Sequence, residues 1–152
     1  MYDVLAYLFE NCQQAELAYD RERVAKKLSA AGFEHSDISE ALHWLAGVMR
    51  TPRCASASLP DTRTSFRVFA PRELVKLDAE CRGFIITLEL SGILTPQTRE
   101  VVLERSLAAA GHSLSLDQLK LIVLMVLWNH QTPTSQLLAQ ELFSTTATRL
   151  PN

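Results

Sequence analysis

Apolar residues recur at steps of three and four through most of the chain, the spacing that places them on one face of a helix. Leu5, Leu8, Phe9 and Cys12 mark a first amphipathic helix within residues 2–14. Asp20 stands where an N-cap belongs, ahead of Val24, Ala25 and Leu28, and Gly32 follows where a left-handed helix terminus is expected. Ser36 then predicts the cap of a third helix, with Ile38, Ala41, Leu42 and Leu45 on one side. The periodicity stops there. Residues 50–61, RTPRCASASLPD, are small, polar and punctuated by proline, which is how a linker or mobile loop reads. SFRVF, residues 65–69, alternates and is the one segment that predicts a short strand. Such a strand is unstable alone.

Helical spacing resumes at Pro71, a residue suited to a first helical position. Leu74, Leu77, Cys81, Phe84, Ile85 and Leu88 predict one long helix that continues to about Ser91. Thr95-Pro96 opens the next, with Val102, Leu103 and Leu107 apolar and Gly111 at its close. Ser115 and Gln118 form the S-x-x-Q pattern of a capping box. The run LIVLMVLW at Leu121–Trp128 comes next. It is far short of the ~20 residues a membrane span takes, so it predicts a buried helix. Leu137, Leu138, Leu142 and Phe143 predict a last amphipathic helix before a frayed tail.

The expectation is an all-α fold of about seven helices with at most one or two short strands near 65–69. Along the chain this gives an N-terminal three-helix unit (1–49) and a linker or mobile loop (50–64). A short strand and C-terminal helical bundle (65–145) follow, with a tail at 146–152.

Composition narrows the function classes. The chain has 152 residues, 47% of them hydrophobic and 21% charged, with a net charge of −2. That is an ordinary globular balance without a global attraction to nucleic acid or anionic membrane. Cys12, Cys54 and Cys81 are an odd number at wide spacing, so neither a disulfide framework nor a CxxC pair is present. A reducing cytoplasm is the expected compartment. The opening MYDVLAYLFENC has no basic lead or small-residue cleavage site, unlike a signal peptide. His35, His43, His112 and His130 are scattered, and no glycine-rich phosphate motif or G-x-S-x-G occurs. No cofactor, metal or catalytic residue is therefore predicted, and the expectation is not an enzyme.

The densest chemistry lies in LDAECRGFIITLE, residues 77–89, where Asp78, Cys81 and Arg82 precede Gly83. Cys81 falls inside the apolar stripe, where a thiol behaves as a small hydrophobe. Arg82 points about 100° away from it, and Asp78 and Arg82 are spaced for an i,i+4 pair. Gly83 predicts close approach of another helix backbone, or of a large aromatic such as Trp44 or Trp128. Packing is the preferred reading, a protein-binding face is the next, and a reactive thiol is the last.

Two segments suggest recognition. Residues 50–72 carry Arg50, Arg53, Arg63, Arg67 and Arg72 against Asp61 alone. With Phe66 and Phe69 nearby, they suit an acidic protein surface, a phosphate backbone, or ion pairs within the same molecule. LSAAGFEHSDISEALHWL, residues 28–45, is similar to the small ubiquitin-associated-type three-helix motif. In that motif the Gly-Phe turn and the last helix often present a partner face, which makes Phe33, His43 and Trp44 candidates beside the arginines.

In order, MYDVLAYLFE, AGFEHSDISEALHWL, FRVFAPREL, LDAECRGFIITLE, TREVVLER and LDQLKLIVLMVL resemble one family, the bacterial Smg proteins, over about residues 1–143. The resemblance implies a cytoplasmic protein of Gram-negative bacteria, mainly proteobacteria, whose molecular function is uncharacterised. The family's genes generally lie beside ones for DNA processing and for peptide-start maturation in translation. The resemblance assigns no catalytic or binding residue. The leading expectation is a non-enzymatic helical adaptor or regulator that binds another cytoplasmic protein, without membrane association. The alternative is a nucleic-acid-associated protein linked to DNA processing or translation. In it the three N-terminal helices act as a helix-turn-helix-like unit and the arginine loop contacts phosphates.

Overall fold

A computed structural model describes residues 1–50 and 68–130. Eight helices make up this part: α1 (Tyr2–Asn11), α2 (Gln14–Tyr19), α3 (Arg21–Ala30), α4 (His35–Arg50), α5 (Pro71–Lys76), α6 (Ala79–Leu90), α7 (Pro96–Ala108) and α8 (Leu116–Asn129). The fold is all-α. Among the described residues there is no strand, only an isolated parallel bridge between Leu77 and Leu114. The strand expected at 65–69 falls mostly outside the described residues, and Val68 and Phe69 have no regular structure. The helix expected around 137–143 lies outside them entirely.

α8 is apolar on every side because it is surrounded. It packs on α1, α4, α6 and α7, and every side chain from Leu121 to Leu127 is buried. Burying one such side chain contributes roughly 1.5–3 kcal/mol, so this helix is the main source of core stabilisation. The buried cluster is continuous from Val4, Leu5 and Leu8 of α1 through Ile38, Leu45 and Val48 of α4 to Val102 and Leu103 of α7.

Local signals fix most helix ends. The side chains of Asp20, Thr95 and Ser115 accept the backbone N–H groups of Arg23, Thr98 and Gln118 at 3.0, 3.2 and 3.3 Å. Gly32 closes α3 at φ +96°, a left-handed conformation that needs glycine. The third expected helix begins at His35, so Ser36 lies within its first turn instead of capping it.

One expected helix ends early and another is divided. The first ends at Asn11, and after an extended Cys12 the chain forms the separate short α2. The long helix expected from Pro71 to Ser91 breaks at Leu77–Asp78. Leu77 is extended and bridges Leu114, whose N–H donates to the Lys76 carbonyl at 3.0 Å. Asp78 then caps α6, its carboxylate accepting the Cys81 N–H at 2.8 Å. Lys76 completes this junction. Its buried ammonium donates to the carbonyl of Ala109 at 2.6 Å and also to that of Gly111, satisfying acceptors just past the end of α7.

Candidate functional site: a groove beside α4

The described surface has an open groove of about 480 Å³ between α4 and the α2–α3 corner. Along α4, Leu42, His43, Ala46, Met49 and Arg50 follow helical steps and so fall on one side. Leu17 of α2 and Arg21 of α3 form the facing wall, and Leu45 completes the lining. The corner is tight because one residue does two jobs. The Asp20 backbone N–H bonds back to Glu16 at the end of α2 while its carboxylate caps α3. Arg21 therefore emerges immediately against α4 and donates from Nη2 to the Leu42 carbonyl at 2.9 Å. Arg50 donates from Nε to the Ala46 carbonyl at 3.2 Å.

The floor is apolar and the rim is basic. Leu17 and Leu45 are buried, Leu42, Ala46 and Met49 are half-buried, and Arg21, His43 and Arg50 are exposed. Among the described residues no acidic side chain lines the groove. Neither guanidinium pairs with a carboxylate among the described residues; both bond only to backbone carbonyls. Some other cations of this chain are neutralised, Lys27 by Glu16 at 3.1 Å, Arg99 by Glu89 at 2.5 Å and Arg105 by Glu104 at 3.0 Å, while Arg23, Lys26, Arg72 and Arg82 have no ion pair among the described residues.

Of the residues singled out by sequence, His43 and Arg50 meet in this groove. Trp44 does not. It is only 4% exposed and projects into the core, where its indole N–H donates to the Arg105 carbonyl at 3.1 Å. That sets it apart from the groove lining. Phe33 is half-buried, with its ring edge-on to Tyr7 at 5.5 Å, away from the groove lining. Arg72 is exposed on α5, and Arg53, Arg63 and Arg67 lie outside the described residues. Leu17, Arg21 and Met49 were missed. Only the adjacency of Arg21 to a predicted cap hinted at its position.

The Asp78–Cys81–Arg82 cluster has the geometry of a capped, packed helix start. Cys81 is fully buried, and its thiol donates weakly to the Leu114 carbonyl at 3.6 Å. Burial, reinforced by the neighbouring Asp78 carboxylate, pushes this thiol up to about 12. Hydrogen bonds from Cys81 hold Asp78 below the usual carboxylate range. A nucleophilic cysteine needs the opposite shift. Arg82 bonds to the Asp78 backbone carbonyl at 3.3 Å. Among the described residues the close approach expected at Gly83 is not there: a Cβ at that position would meet none of their atoms within 4 Å. Gly47 is the glycine that admits a neighbour, since a Cβ there would fall on the guanidinium of Arg105.

Among the described residues no group of three or more His, Cys, Asp or Glu could hold a metal ion, and no helix is long and apolar enough to cross a membrane. Over residues 1–150 the chain matches a family described as "Protein of unknown function (DUF494)". It is 45% identical over 150 residues to "Protein Smg homolog" of Aromatoleum aromaticum, covering 99% of this chain and 97% of that one. A second "Protein Smg homolog", of Azoarcus sp., is 41% identical over 144 residues, covering 95% and 93%. The protein of the same name in Bordetella pertussis is 39% identical over 150 residues, covering 98% of both chains. No solved structure matches. Matched over almost its whole length by both the family and these relatives, the chain belongs to the Smg family, DUF494.

Proposed function

We propose that this chain is a non-enzymatic cytoplasmic adaptor or regulator that binds another protein through the groove beside α4. The observation that carries the reading is an apolar floor rimmed by cations that pair with no carboxylate among the described residues. Arginine and methionine are enriched at protein interfaces, and such sites place a desolvated apolar centre inside a polar rim. The burial and raised thiol of Cys81 support the non-enzymatic part, because the densest chemical cluster in the sequence is used for capping and packing.

The test is capture of partners from bacterial lysate at moderate salt, in nuclease-treated and untreated halves, followed by mass spectrometry. Proteins retained in both halves are the expected result. Retention that disappears with nuclease would overturn the reading in favour of nucleic acid, whose binding also falls steeply with salt.

A further inference from the structure

The groove's dimensions and charge carry the protein-binding reading to a class of ligand. We infer that its occupant is one amphipathic helix of a partner protein, with two carboxylates about one turn apart beside a short apolar edge; this rests on the protein-binding reading above.

Arg21 is bonded to the Leu42 carbonyl, and Arg50 reaches back to the Ala46 carbonyl, four residues farther along α4. At 1.5 Å per residue the two anchoring carbonyls are about 6 Å apart along the axis. The two cations thus stand about one turn apart beside an apolar floor formed by Leu17, Leu42, Ala46 and Met49. A partner helix laid along this floor would reach both cations with acidic residues three or four positions apart. Its apolar anchors would lie alongside them at three- and four-residue steps. His43 adds a third donor at the Arg21 end. The chain as a whole carries a net charge of −2, so attraction of an acidic helix is a property of this concavity, not of the molecule.

An extended peptide fits poorly. Strand addition needs a sheet edge, and among the described residues there is none. The carbonyls of Leu42 and Ala46, which face the groove's arginines, are already hydrogen-bonded by them. A helix brings its own backbone bonds and asks only for side-chain contacts.

The experiment pans the full chain against a displayed library of helical peptides. Each peptide has a fixed leucine edge, and its flanking positions are varied among Glu, Lys, Gln and Ser. The expected result is enrichment of Glu at two flanking positions three or four residues apart. Binding of the selected peptide should weaken by about tenfold or more in Arg50→Glu. A peptide with the matching Glu changed to Lys should bind that variant better than wild type. Enrichment of Lys or of neutral residues would overturn the inference, as would selected peptides indifferent to Arg50→Glu, or no selection at all. In each of those cases nuclease-resistant protein capture would leave the protein-binding reading standing. If that capture failed too, both would fall.

Discussion

Replacing Trp44 with phenylalanine distinguishes a tryptophan that holds the core from one that meets a partner, and its cost can be worked from the structure. The indole is 4% exposed, and its N–H donates to the Arg105 carbonyl, linking α4 to α7. Phenylalanine cannot donate. The abandoned carbonyl still accepts the Ala109 N–H at 3.1 Å, so it is not orphaned. The hydrogen-bond loss is then about 1 kcal/mol, without the larger penalty of an unsatisfied buried acceptor. The smaller ring leaves a void that adds about 1–2 kcal/mol. For a domain of this size each kcal/mol moves the melting temperature by about 2–4 °C, which puts the expected drop near 5–10 °C. Thermal denaturation followed by circular dichroism, with Trp128 emission as a second probe, measures it. A midpoint within about 2 °C of wild type would refute the buried placement. Loss of a partner at unchanged stability would move Trp44 to an interface.

Gly83→Ala should stabilise the protein by about 1 kcal/mol, because alanine is the better helix former and none of the described residues stands where its Cβ would go. A lower melting temperature would mean that another surface packs on that face in solution. Cys81 should be alkylated in native protein no faster than the chain unfolds, as peptide mapping of iodoacetamide adducts would show; rapid labelling would contradict its burial. Its raised thiol also sets an alkaline limb. The folded state holds the proton more tightly, so that contribution is complete below the ordinary thiol value near 9 and is lost as pH rises towards about 12. Cys81→Ala should flatten the limb in denaturant titrations. Asp78 works in the other direction. Its lowered carboxyl contributes stability at neutral pH that is lost as pH falls below the ordinary aspartate value. Asp78→Asn should remove part of the acid sensitivity while retaining a cap, and an unchanged acid limb would show that Asp78 does not contribute to it.

Features set by neighbours in sequence were legible, and those set by distant parts of the chain were not. Asp20, Thr95 and Ser115 cap where their spacing says they should, because each carries out its hydrogen bond within one turn. α8 was legible as a buried helix because an element surrounded on all sides has no polar face to keep. The break at Leu77–Asp78 was hidden. Leu74, Leu77, Cys81 and Ile85 keep helical spacing across it, and the pairing that opens the helix comes from Leu114. The glycines show the same limit. Gly83 attracted attention through its chemically rich neighbours, yet none of the described residues packs on it, while Gly47 is constrained by Arg105 from α7. Half of the candidate site was visible for a similar reason. His43 and Arg50 share a helix face that periodicity reveals, whereas Leu17 and Arg21 join them only when the α2–α3 corner folds against α4. Trp44, next to His43, points about 100° away, which places one residue in the groove and the other in the core.

The most direct test of the account is photo-crosslinking in living bacteria, with a benzophenone amino acid at His43 in the groove and, separately, at exposed Thr87 on α6. The account predicts a discrete protein adduct from position 43 that is absent from position 87 and lost when Arg21 and Arg50 are both changed to glutamate. Adducts to nucleic acid from position 43, or a protein adduct that survives the double charge reversal, would contradict it.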